Sequence, residues 1–143
     1  MAWQKAMDLS VAIYEISKGF PREEVYALTS QLRRAEDSVP SNIAEGASDR
    51  TTQQFSNFLS KSIGSLNEMD TQLELALRLG HLSEAEHLSI YKLMDECIAL
   101  TFGLRKSLRR KVTRREGRRW STSADHQQTS AHSSLLTVRL LLV

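Results

Sequence analysis

The chain has 143 residues, a net charge of +2, 41% hydrophobic and 25% charged residues, and one cysteine. That size and balance fit a single soluble globular domain, alone or with a tail, and the lone Cys97 excludes an internal disulfide. No apolar run approaches the roughly 18–20 residues of a membrane span, and the charged start Met-Ala-Trp-Gln-Lys-Ala-Met-Asp lacks the apolar core of a secretory signal, so a cytoplasmic, reducing location is expected.

Two prolines and six glycines leave room for long helices. The first is predicted over about Trp3–Lys18, with Trp3, Ala6, Met7, Leu9, Ile13, Ile16 and Phe20 on its apolar side. Gly19 and Pro21 mark its stop. The second is predicted from Pro21 or Arg22 to about Ala44, ending at Gly46, with Glu23 and Glu24 suited to its positive end. Pro40 falls inside it. A kink rather than a break is expected, because the apolar register runs on from Val39 to Ile43.

This second helix carries two stripes. Val25, Leu28, Leu32, Ala35, Val39 and Ile43 form an apolar face, and Gln31, Arg34, Ser38, Asn42 and Glu45 a polar one at the same spacing. The polar stripe is mixed in sign and rich in amides and hydroxyls, so it is expected to meet something polar. An intramolecular or subunit-interface network is the favoured reading, ahead of ligand or nucleic-acid contact and of catalysis.

Thr51 or Thr52 caps the third helix, which runs to about Leu79 with Phe55, Phe58, Leu59, Ile63, Leu66, Met69, Leu73, Ala76 and Leu77 as its stripe. Gly64 lies mid-helix, where close packing on another helix is expected to compensate for it. After the turn Gly80-His81-Leu82, Ser83 and Glu86 read as a capping box. The fourth helix follows to about Arg110, with Leu88, Tyr91, Met94, Ile98, Phe102 and Leu104 or Leu108 on one side and Cys97 as a small buried hydrophobe nearby.

These elements predict an all-α fold, an antiparallel up-down four-helix bundle over residues 1–111. Residues 112–143 are predicted to be a basic and polar low-complexity tail, disordered, ending in the apolar run Leu135–Val143. That run is too short to span a bilayer and suits docking or aggregation. Charge is strongly divided along the chain. Up to Leu104 there are nine basic and fifteen acidic residues, whereas Arg105–Arg119 holds nine basic residues against Glu116 alone. Such a basic end on an acidic body points to nucleic acid or an acidic partner.

Several strings carry a resemblance: Trp3 with Ala6-Met7, Phe20-Pro21 with Glu24, Leu28-Thr29-Ser30-Gln31-Leu32-Arg33-Arg34-Ala35, Ser38-Val39-Pro40-Ser41-Asn42-Ile43-Ala44-Glu45-Gly46, Phe58-Leu59, Gly64-Ser65-Leu66 with Glu68, and Gln72-Leu73-Glu74. In order, from Trp3 to Leu108, the chain resembles the four-helix-bundle proteins encoded within intervening sequences of bacterial 23S ribosomal RNA genes. The resemblance implies a bundle assembled as a ring-like homo-oligomer, with a pentamer the expected form. A similar bundle is the accessory protein of diversity-generating retroelements, where a basic pentameric barrel binds nucleic acid and a reverse transcriptase. Here the body is acidic, so phosphate contact is expected at the C-terminal end rather than over a whole barrel.

Enzymatic chemistry finds little footing. Glu84-x-x-His87 is the best metal candidate, but it occurs once and in the first turn of its helix, where capping already explains the acids, so no metal is expected. No Ser/His/acid or Cys/His arrangement and no phosphate-cradling glycine loop stands out, and no cofactor is expected. The basic run Arg105, Lys106, Arg109, Arg110, Lys111, Arg114, Arg115, Arg118 and Arg119 could neutralise phosphates on RNA or DNA, with Trp120 stacking on a base. Favourable interaction with the helix dipole would account for the first few cations but not for nine. The expectation is a non-enzymatic homo-oligomer that contacts RNA or DNA through its basic C-terminal end. The alternative is a protein-binding scaffold, for a reverse transcriptase or for itself, without nucleic-acid contact; no membrane partner is expected.

Overall fold

The computed structural model describes residues 1–124, with side chains through residue 114. The chain divides into two units, Met1–Val112 and Thr113–Val143. Four helices account for the fold: α1 (Ala2–Ser17), α2 (Leu28–Ser48), α3 (Thr52–Arg78) and α4 (Glu84–Ala124), with no strand among the described residues. α4 continues well past the Arg110 end expected from the sequence, because the Lys, Arg and Glu that follow are themselves good helix formers. Residues 125–134 of the predicted disordered segment and the apolar Leu135–Val143 lie outside the described residues. No helix among the described residues is long and apolar enough to cross a membrane.

Neighbouring helices run antiparallel, up and down. Ser10 and Arg33 on one hairpin meet Glu36 and Ser17 on its other arm. Arg34, Ser38 and Val39 of α2 meet Glu68, Ser65 and Ser62 of α3, so numbers rise on one helix as they fall on the other. Lys5 of α1 pairs with Glu96 of α4 at 2.8 Å. Between these arms lies one apolar cluster, built from Leu9 and Ile13, Leu32, Val39 and Ile43, Leu59, Leu66, Met69 and Leu73, and Ile90, Met94 and Cys97. Each large side chain so buried contributes about 1.5–3 kcal/mol before entropy is set against it.

The apolar stripes were wider than the core could use. Trp3 and Met7 sit beside the buried positions of α1 and remain 46% and 39% exposed. On α4, Leu88, Tyr91 and Phe102 face outward, while Ile90, Met94, Cys97 and Leu108 point inward with Leu104 and Ile98 half-buried. Two apolar registers compete on that helix, and the stripe expected from the sequence mixed residues of both. Val25 is likewise exposed, since it precedes α2 rather than belonging to it.

The helix ends follow local chemistry. The second helix does not start at Pro21: a 3₁₀ turn spans Arg22–Glu24, and the helix begins at Leu28. Glu24 reaches forward to accept the Leu28 N–H at 3.2 Å, so its carboxylate caps a later start. Thr51 Oγ1 accepts from the Gln54 N–H and caps α3. Ser83 and Glu86 exchange bonds in both directions, as a capping box requires, and those bonds hold the Glu86 carboxyl below its ordinary range. At the α3–α4 turn Gly80 adopts φ +75°, a left-handed value. The Gly80 N–H bonds to Leu77 O and the His81 N–H to Ala76 O, the Schellman pattern that satisfies the last carbonyls of α3.

Pro40 leaves α2 continuous. Proline has no N–H to give to the carbonyl four residues back, so Glu36 O loses its intrahelical partner. Ser10 Oγ of α1 donates to that oxygen at 3.3 Å, and Ser62 Oγ of α3 donates to the nearby Val39 O at 3.1 Å. The helix is thus gripped from both sides at its weakest point.

Two glycines invert the sequence expectation. Gly46 is no C-terminal stop; it lies inside α2, where a Cβ would meet Phe58 Cβ and Phe55 Cδ2, both at 2.7 Å. Gly64 has no such neighbour, for a Cβ there would meet nothing within 4 Å. Close packing does not explain it. Gly64→Ala is therefore expected to raise stability by about 0.5–1 kcal/mol, read as a higher denaturant midpoint with an unchanged m-value. If Gly64 lies against another copy of the chain, the substitution lowers stability and lowers the mass in solution instead.

Candidate functional site

The polar stripe of α2 faces a matching stripe on α3. Asn42 Nδ2 donates to Ser38 O and Ser38 Oγ at 2.7 and 2.8 Å, and Ser65 Oγ donates to Ser38 Oγ at 2.9 Å. One turn away, Arg34 donates to Gln31 Oε1 and, at 3.3 Å, to Glu68 Oε1, which also accepts from Gln72 Nε2 at 3.2 Å. Gln31, Arg34, Ser38 and Asn42 are thus brought into one seam between two helices. Glu45 is not: it is exposed, one step further round the helix, and beside it Gly46 brings the α3 aromatics in place of polar partners. Ser38 has only an amide and a hydroxyl beside it, neither able to take its proton at neutral pH.

The α3 half of this seam, Ser62, Ser65, Glu68 and Gln72, was missed by the reading of α2 alone. The signal was present, since these residues recur at three- and four-residue steps beside the apolar stripe. The seam grades from inside to outside. Ser62 is fully buried, Ser38 and Asn42 are half-buried, and the Arg34 side chain is 70% exposed. At that exposure the Arg34–Glu68 pair is worth about 0–1 kcal/mol, so the inner hydroxyl bonds supply most of the specificity of the α2–α3 pairing.

The basic run lies on α4. Leu108 is buried and Leu104 half-buried on the core side, which turns Lys106, Arg109 and Arg110 to the opposite face by helical geometry. Those three, with Lys111 and Arg114, are exposed. Arg105 differs: it is half-buried, and its Nε is enclosed without a hydrogen-bond partner. Arg115 lies on the helix, but its side chain is beyond those described.

Other candidates resolve into local pairings. His87 Nε2 stands 3.9 Å from Glu74 Oε2, and its ring stacks on Tyr91 at 6.2 Å. Among the described residues, no three His, Cys, Asp or Glu side chains gather as a metal ion would need. Cys97 is buried, and burial pushes its thiol up from the ordinary range, away from thiolate reactivity.

Residues 1–103 match the 23S rRNA-intervening sequence protein family. The chain belongs to that family. The match spans α1 to α3 and α4 as far as Gly103, two residues before Arg105. It therefore accounts for the bundle of this intervening-sequence protein and not for its cationic end. A solved structure of a protein of unknown function from the S23 ribosomal protein family of Bacteroides thetaiotaomicron is similar, with a TM-score of 0.69 and 23% identity over 74% of this chain and 99% of that one. At that identity the likeness shows the fold. No curated protein matches.

Proposed function

We propose that this intervening-sequence protein is a non-enzymatic, self-associating helical bundle that contacts RNA or DNA through the basic stretch of α4. The observation that carries the reading is the outward placement of Lys106, Arg109 and Arg110, with Lys111 also exposed, on a helix anchored by Leu108. Cations displayed on a rigid rod can follow a phosphate backbone without reading its sequence. Self-association is supported by an outward band on α1, where Trp3, Met7, Val11 and Tyr14 are 39–60% exposed. Each copy in a ring would bring one cationic stretch, and linked weak contacts add strongly. Five copies is the number the family resemblance implies.

Two measurements test this. Light scattering is expected to give a mass several times that of the chain, and a monomer overturns the ring. Fluorescence anisotropy with a single-stranded RNA and a duplex DNA is expected to show tight, salt-sensitive binding. Changing Lys106, Arg109, Arg110 and Lys111 together to Gln should weaken it at least about tenfold at moderate salt and lower the salt slope by about three to four. Equal binding by both forms, or none, rejects the nucleic-acid contact. Protein partners that survive nuclease treatment in a pull-down would favour the scaffold reading, which draws on the same apolar band.

A further inference from the structure

A pocket of about 320 Å³ opens where α1 ends and α2 begins. Ser17, Lys18, Arg22, Thr29, Ser30 and Arg33 form its polar wall, and Phe20 and Val25 its apolar one. Three cations and three hydroxyls line it, with no carboxylate among the lining residues. This is unexpected on a body that is acidic up to Leu104.

The cations are held in different ways. Arg33 Nε donates to Ser17 Oγ at 2.8 Å, and its guanidinium carbon lies 4.4 Å from the Tyr14 ring centroid. Those contacts fix the plane of the group and leave its terminal amino groups for another acceptor. Lys18 leans on Glu15 at 2.7 Å. Arg22 is exposed at the pocket mouth, on the 3₁₀ turn. Thr29 also bears on what the pocket holds. It lines the pocket and is only 5% exposed, yet its Oγ1 is enclosed without a hydrogen-bond partner. A buried hydroxyl left unpaired is costly, and a ligand oxygen would satisfy it. The start of α2 itself is not the attraction, because Glu24 already takes the Leu28 N–H.

We propose that this pocket binds the phosphate group of a small phosphate monoester. A tetrahedral dianion offers several acceptors, which suits a guanidinium fork beside an ammonium and a hydroxyl. The volume falls at the lower end of the roughly 300–1,000 Å³ of small-molecule sites and exceeds what bare phosphate fills, and the Phe20–Val25 wall suits an organic body. The same chemistry comes from a free monoester or from the terminal phosphate of a nucleic-acid strand. The site is independent of the basic stretch, since the Phe20 ring packs on His81 in the α3–α4 turn, and Lys106 lies about 30 Å further along α4.

The test is an amide chemical-shift titration of the full chain at fixed ionic strength, with adenosine monophosphate, adenosine, and an oligonucleotide with and without a 5′-phosphate. Adenosine monophosphate is expected to give saturable shifts at residues 17–20 and 29–33, and adenosine none. Arg22→Gln should weaken binding about tenfold. Thr29→Val should weaken it several-fold while Tm stays level or rises, because the free hydroxyl has no bond to lose. Arg50→Gln, beyond the opposite end of α2, should leave adenosine monophosphate binding unchanged. Matching shifts from the 5′-phosphorylated strand assign the phosphate to strand ends, and their absence assigns it to a free monoester. The proposal is overturned if no saturable shift appears up to about 10 mM adenosine monophosphate, if adenosine does as well, or if Arg22→Gln binds as the parent does.

Discussion

Raising the pH from 4.5 to about 7 is expected to cost this protein on the order of 2–3 kcal/mol of stability, with Glu36→Gln flattening that part of the profile. Glu36 is 3% exposed on the α1-facing side of α2, and its Oε2 has no hydrogen-bond partner. Burial pushes its carboxyl up from 4.5 to about 7, helped by the adjacent Asp37 carboxylate and opposed by Ser10 and Arg33. A carboxyl raised on folding binds its proton more tightly in the native state than in the unfolded chain. Below pH 4.5 both states keep the proton and stability is fully present. Between pH 4.5 and 7 the unfolded chain ionises first, so stability falls; above pH 7 both are ionised and the slope vanishes. Urea unfolding of parent and variant at half-unit pH steps gives a difference curve that isolates this group from the other acids. A flat difference curve would mean that Glu36 is solvated in the native protein.

Gly46→Ala is expected to destabilise the protein by about 1–2 kcal/mol, although alanine is the better helix former by about 1 kcal/mol. The new methyl would stand 2.7 Å from Phe55 Cδ2 and 2.7 Å from Phe58 Cβ. The Phe55 ring can swing aside. Phe58 Cβ cannot, because it is fixed to the α3 backbone, so α2 and α3 have to separate. Phe55→Ala in the same chain should therefore fail to rescue the loss. Denaturant midpoints of the single and double variants check this. The opposite signs expected at Gly46 and Gly64 follow from one difference, whether a neighbouring helix lies over the missing Cβ.

That contrast also marks what the residues revealed and what they hid. Helix number, the Thr51 cap, the Ser83–Glu86 box and the passage of α2 through Pro40 were legible because each depends on residues within a few positions of one another. The meaning of Gly46 and Gly64 was not, since Gly46 read as a helix stop and Gly64 as a packed mid-helix glycine, and only the distance to a neighbouring helix tells them apart. The outward turn of Leu88, Tyr91 and Phe102 was hidden for a similar reason: two apolar registers share α4, and tertiary packing chose between them. At the seam, the α2 half of the polar network was legible as a stripe, and Glu45 was over-read because a stripe carries no account of where its partner helix stops offering polar groups. The pocket at the start of α2 joins residues from two helices and the turn between them, so no single periodic pattern announced it.

The carbonyl that Pro40 strips of its partner has a consequence for assembly of the first hairpin. Only the pairing seen here sets Ser10 against that oxygen. Slipping α1 by one turn, about 5.4 Å, would leave the acceptor dry and carry a penalty of about 1–3 kcal/mol. The proline thus works as an indexing notch: it weakens one helix locally and, by doing so, penalises misaligned and exchanged versions of the hairpin.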